Sequence, residues 1–112
     1  MGNVHEQYST KRRFPRVHGP FFGYCNTPET PVLVYDLNLG GGFVNFGGHA
    51  PIAVAFVLNI ALPREGMINV HAETVYRHES GIAVRFVDLD TQTRDRLART
   101  VSALLLQQPP AH

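Results

Sequence analysis

The stretch "IAVAFVLNIALPREGMINVHAETVYR", residues 52–77, carries the period that decides the fold. In its first half the even positions are Ile52, Val54, Phe56, Leu58, Ile60 and Leu62. The odd positions are Ala53, Ala55, Val57, Asn59 and Ala61. Large side chains line one face and mostly small ones the other, which is the two-residue period of a strand. "PREG" (Pro63–Gly66) then closes a hairpin. Met67–Arg77 reads as the returning strand, with Ile68, Val70, Ala72, Thr74 and Tyr76 on one face and mostly polar residues on the other.

The same pattern extends in both directions. "HESG" (His78–Gly81) turns the chain, and Ile82–Val87 is the last strand. Upstream, "VLVYDLNL" (Val32–Leu39) alternates and runs into three glycines, Gly40–Gly42, which allow positive φ and close backbone approach. "FVNF" (Phe43–Phe46) is a short strand and "GGHAP" a turn. "NTPETP" is a turn by its Pro, Asn and Thr content. "GPFFGYC" (Gly19–Cys25) is an aromatic first strand, weakened by Pro20 and two glycines. Beyond Val87 the period changes. Asp90 is positioned as a helix N-cap, and Leu97, Val101, Leu104 and Leu105 form a helical stripe. Asp95 and Arg99 are an i,i+4 pair, and Pro109 and Pro110 stop the helix. Five or six short antiparallel strands followed by one helix predict an all-β class. Closure into a small barrel removes exposed strand edges.

Composition limits what such a domain does. The chain has 112 residues, 44% of them hydrophobic, which suits one domain with a core of its own. Residues 1–10 are polar and aperiodic and read as a tail, 11–108 as the domain, and 109–112 as a second tail. The formal net charge is +1, so any anion site has to be local. Cys25 is the only cysteine, and a lone thiol fits a reducing compartment. No apolar run reaches the ~18 residues of a membrane span, so no membrane insertion is expected. The opening "MGNVHEQYST" lacks the apolar region of a secretory signal. A cytoplasmic location is the expectation.

The local anion site has an obvious candidate. "STKRRFPRVHG" holds Lys11, Arg12, Arg13 and Arg16, four of the ten Lys and Arg residues. Arg12 and Arg16 form Arg-x-x-x-Arg. Nineteen residues separate Arg16 from "DLNLGG", where Asp36, Asn38 and Gly41 have the shape Asp/Asn-x-Ser-x-x-Gly. "GIAVRFVDLDTQTRDRLARTV" supplies a final strand and helix. In this order and spacing the three pieces resemble the PilZ domain, and the resemblance runs from Lys11 to about Leu106. It implies a six-stranded antiparallel barrel with a C-terminal helix that binds cyclic di-GMP, a bacterial second messenger. It further implies that the Arg-x-x-x-Arg segment wraps the ligand, often an intercalated dimer. The second motif would hold a guanine on the barrel surface. Ligand binding would order the N-terminal segment and change how the protein meets a partner.

Elementary chemistry agrees with that assignment. Guanidinium groups match phosphate oxygens and the O6/N7 edge of guanine, and they stack on bases. Arg12 and Arg16 therefore suit both halves of the ligand. A carboxylate can accept from guanine N1–H and N2–H, which gives Asp36 a role that phosphate contacts cannot supply. Gly40 and Gly41 let backbone N–H groups come close. Two positions depart from the family pattern. Asn38 stands where Ser is usual, and it still donates and accepts. Lys11 stands where many members carry Arg; it neutralises phosphate but neither forks nor stacks.

The same residues admit other readings. The basic cluster alone reads as a solvated arm, and Arg13 reads as facing solvent or a partner. Asp36–Gly41 alone reads as an Asx-type turn. Arg77 and Arg85 read as exposed strand residues, with a place beside the ligand as the alternative. The six histidines show no ligand spacing, so no metal is expected; His71 and Glu73 share a strand face, which is too little for a site. No catalytic constellation stands out, so neither an enzyme nor a cofactor is expected. Single-stranded nucleic acid needs a basic groove with aromatic platforms, whereas the aromatics here fall mostly on core faces. The expected protein is a cyclic di-GMP receptor, monomer or weak homodimer. Its output would pass to an unidentified effector in motility, pilus or exopolysaccharide control. The alternative is a degenerate adaptor that binds a protein without nucleotide.

Overall fold

A computed structural model describes residues 15–26, 29–47 and 53–107. Six antiparallel strands close into a barrel in the order β1-β2-β3-β6-β5-β4. They are β1 (Phe21–Asn26), β2 (Glu29–Asn38), β3 (Gly41–Asn45), β4 (Ala55–Leu62), β5 (Gly66–His78) and β6 (Gly81–Val87), followed by helix α1 (Thr91–Leu105). The fold class expected from the period is the one observed. The predicted element positions hold to within a few residues.

Strand β4 shows why. Phe56, Leu58, Ile60 and Leu62 are buried, and the residues between them face outward or lie between barrel and solvent. They pack with Val32, Val34, Val44, Ile68, Val70, Ile82 and Val84 from the other strands. Two expectations fail at the ends of the pattern. Val54 precedes the strand and is exposed, and Ile52 lies outside the described residues. Tyr76 is exposed too, because the β5–β6 ladder slips by one residue between Thr74 and Tyr76. Thr74 pairs with Val84, an inward residue, but Tyr76 pairs with Ala83 rather than Ile82, and so changes face. Phe22 and Tyr24 on β1 are likewise exposed, so fewer aromatics face the core than the sequence pattern suggests.

Helix α1 begins as expected. Asp90 is the N-cap, and its Oδ1 accepts from the Thr93 N–H at 2.7 Å. That hydrogen bond holds the Asp90 carboxyl below its ordinary range. Leu97, Thr100 and Val101 are buried where the helix packs on β2 and β5. Asp95 acts on Arg99 only through its charge, and the hydrogen bonds of Arg99 go elsewhere. Arg99 forks onto Glu65 in the β4–β5 turn, with Nε–Oε2 at 3.0 Å and Nη2–Oε1 at 3.1 Å. Arg96 Nη2 donates to the Glu65 carbonyl and, at 3.1 Å, to the Met67 carbonyl. The helix ends at Leu105 with Leu106 as C-cap; Pro109 and Pro110 lie outside the described residues. No helix among the described residues is long and apolar enough to cross a membrane.

Candidate functional site

The site is built on one short backbone bridge. Val17 and Leu37 exchange two hydrogen bonds, each 2.9 Å, and both side chains are buried. Because side chains alternate along extended chain, burying Val17 turns Arg16 and His18 outward, and burying Leu37 turns Asp36 and Asn38 outward. The four polar side chains therefore share one outer patch, although twenty positions separate Arg16 from Asp36.

Asp36 reaches that patch through a bulge. Val32 and Val34 face the core, so strict alternation would bury Asp36 as well. The β2–β3 ladder instead shifts register between Tyr35 and Asn38, and Asp36 takes φ 53°. Asp is among the few residues that adopt this left-handed conformation at small cost. The extra residue puts Leu37 into the core and the Asp36 carboxylate outside.

The patch is charged but only loosely tied. Arg16 Nη1 meets Asp36 Oδ2 at 3.5 Å, with both side chains partly exposed. His18 Nδ1 lies 3.8 Å from Asp36 Oδ1. Among the described residues, Arg16 Nε is buried without a hydrogen-bond partner. Such a donor is costly to leave unmet and favours any acceptor that reaches it. Asn38 is tied down: Nδ2 donates to the Asp36 carbonyl at 3.0 Å, and Oδ1 accepts from the Gly40 N–H at 2.7 Å. Both Asn38 groups thus hold the turn that presents Asp36.

Gly40 and Gly41 are engaged by the barrel. The Gly40 carbonyl accepts from the Phe86 N–H at 2.8 Å, while its own N–H is held by Asn38. A Cβ on Gly41 would lie 2.0 Å from the Val84 carbonyl oxygen, so only glycine lets β3 approach β6 this closely. Arg85 stands directly across from Gly41 on β6 and pairs with Glu73 on β5, Nη2–Oε1 at 2.7 Å.

Of the residues singled out in the sequence, Arg16, Asp36, Asn38, Gly40 and Gly41 come together. Lys11, Arg12 and Arg13 lie outside the described residues. His18 was missed; its signal was its place two residues after Arg16, across a hydrophobic Val17. Glu73 beside Arg85 was missed as a pair because twelve positions separate them across a bulged hairpin. No group of three or more His, Cys, Asp or Glu residues suited to hold a metal ion occurs among the described residues.

Comparison with known proteins adds the fold's identity. No protein-family model matches the chain, and no curated protein sequence does. Solved structures do. The PilZ domain of YcgR from Escherichia coli, determined with c-di-GMP, is similar at TM-score 0.69 and 16% identity, over 87% of this chain and 93% of that one. YcgR from Escherichia coli in complex with c-di-GMP is similar at TM-score 0.69 and 18% identity, over 87% of this chain and 47% of that one. The inhibitor of motility MotI/DgrA from Bacillus subtilis is similar at TM-score 0.76 and 15% identity, over 88% of this chain and 53% of that one. The chain spans about half the length of the latter two proteins. The barrel with its C-terminal helix has a PilZ-like fold.

Proposed function

We propose that this protein is a receptor for cyclic di-GMP that passes ligand binding on to a partner protein. The observation that carries the reading is the Val17–Leu37 bridge, which brings Arg16 beside Asp36 and Asn38 on the outer face of a PilZ-like barrel. Two of the similar structures hold c-di-GMP.

In this reading Arg12 and Arg16 take the phosphates and stack on the bases. Lys11 adds charge, and Arg13 lies at the rim. Asp36 accepts from guanine N1–H and N2–H. Asn38, Gly40 and Gly41 hold the turn that sets its carboxylate. Arg16 sits beside Asp36, so the ligand has to exchange that pair for its own contacts. Magnitudes favour the exchange. A partly exposed ion pair contributes about 0–1 kcal/mol, whereas a charge-assisted hydrogen bond contributes about 1.5–3 kcal/mol. The buried Arg16 Nε is one more donor for a phosphate to satisfy. Because Val17 fixes the end of the basic segment to β2, a ligand that draws Arg12 and Arg16 together also sets the direction of the chain before them. That change is what an effector in motility, pilus or exopolysaccharide control would read. The protein acts in the cytoplasm and carries out no catalysis of its own.

A second reading rests on Asn38, whose amide nitrogen and oxygen are each engaged by local backbone. It is an adaptor that meets a protein without nucleotide, and it predicts partner binding unchanged in Arg16→Ala.

Isothermal titration calorimetry with cyclic di-GMP, with GMP and cyclic di-AMP as controls, separates the two. Guanine-selective binding at micromolar or lower ligand supports the receptor, and its stoichiometry decides between one ligand and an intercalated pair. Absence of heat and of NMR shift changes at tens of micromolar would leave the adaptor.

A further inference from the structure

The ion pair between Arg85 and Glu73 continues the site across the barrel. Asn38 pairs with Gly41 across β2–β3, Gly41 with Arg85 across β3–β6, and Arg85 with Glu73 across β5–β6. One cross-strand row therefore runs Asn38, Gly41, Arg85, Glu73. Two strand spacings put Arg85 about 10 Å from Asn38, backbone to backbone. Between them stands Gly41, which has no side chain and no room for one. The row is a strip with a cation at each side and a gap in the middle: Arg16 over Asp36, and Arg85 over Glu73.

The Arg85 guanidinium is held but not buried. Nε and Nη2 both donate to the single oxygen Glu73 Oε1, at 3.1 and 2.7 Å, and 65% of the Arg85 side chain is exposed. Exposed pairs of this kind are weak and screened by salt, so a better acceptor displaces the carboxylate readily. A ligand with two phosphates lying along the strip meets Arg16 with one of them. We propose that Arg85 is a further anion-binding arm of the site, beside the basic segment: it leaves Glu73 and binds the ligand phosphate that lies away from Arg16, with Glu73 as the stand-in that holds the arm extended. This rests on the receptor reading above.

The test is calorimetric titration of the full chain with cyclic di-GMP, comparing wild type with Arg85→Ala, Arg85→Lys and Glu73→Gln. Each variant is first checked by thermal melting. Arg85→Ala is expected to weaken binding about tenfold and to reduce its salt dependence. Arg85→Lys is expected to keep most of the affinity, because a phosphate accepts a point charge. Glu73→Gln is expected to bind as tightly as wild type or tighter, since a competing carboxylate is gone. Wild-type binding that survives unchanged in Arg85→Ala would overturn this inference while leaving the receptor reading intact. A lysine variant as weak as the alanine variant would overturn the phosphate assignment, and so would Glu73→Gln weakening binding as much as Arg85→Ala does. Failure of the wild type to bind at all would overturn both the receptor reading and the arm that rests on it.

Discussion

Arg99 and Arg16 each meet a carboxylate, and the two meetings differ in kind. Arg99 forks onto both oxygens of Glu65, while Arg96 beside it donates to two backbone carbonyls. The result holds the carboxyl of Glu65 below its ordinary range, with the Arg99 hydrogen bond as the first cause. Arg16 makes one long contact to Asp36 and leaves a buried N–H without a partner among the described residues. These two arginines fasten the helix to the β4–β5 turn. The under-used arginine sits on the face where the receptor reading needs a group able to change partners.

The largest effect expected on the structural side comes from the core under the helix. Leu97 is fully buried, and Leu97→Ala should cost about 2–5 kcal/mol in urea denaturation without changing the ligand affinity of the protein that remains folded. A loss of affinity at full folding would blur the division between the two regions. On the ligand side, Arg16→Ala and Asp36→Ala should each weaken cyclic di-GMP binding roughly ten- to hundredfold, with stability unchanged to within about 1 kcal/mol. Asp36→Ala should also relax the discrimination against cyclic di-AMP. Retained guanine preference would remove Asp36 from the guanine contact. Gly41→Ala tests where the two regions meet: crowding against Val84 should destabilise the barrel by about 1–3 kcal/mol and lower affinity with it.

The smallest effect is a matter of pH. Because the folded-state pKa of Glu65 is depressed, its contribution to stability is present above the ordinary glutamate range. It is lost as pH falls through the lowered folded value. The stability difference between wild type and Glu65→Gln should accordingly close on acidification, while ligand affinity at neutral pH stays the same in both. A gap that persisted in acid would mean that the Glu65–Arg99 fork does not carry it.

The barrel was legible because β4 and most of β5 keep one face apolar without interruption. Bulges were not legible, since a register slip depends on the partner strand and leaves no mark on local alternation. That is why Tyr76 was grouped on one face with Ile68 and Val70. The bulge that turns Asp36 outward was hidden for the same reason, although Asp36 itself stood out through its spacing from Gly41. Asn38 was noticed as a departure from Ser, but its use in holding the turn needed the positions of the Asp36 carbonyl and the Gly40 N–H. Arg99 looked like a partner of Asp95 because helical spacing is visible in a sequence. Asp95 does act on it through charge, but its hydrogen-bonded partner, Glu65, lies thirty-four positions away.

The most direct test of the account is a single calorimetric series with cyclic di-GMP on wild type, Arg16→Ala and Arg99→Ala. The account predicts guanine-selective binding by wild type, at least a tenfold loss in Arg16→Ala and no change in Arg99→Ala. Equal affinities in all three proteins, or no binding in any, would contradict it.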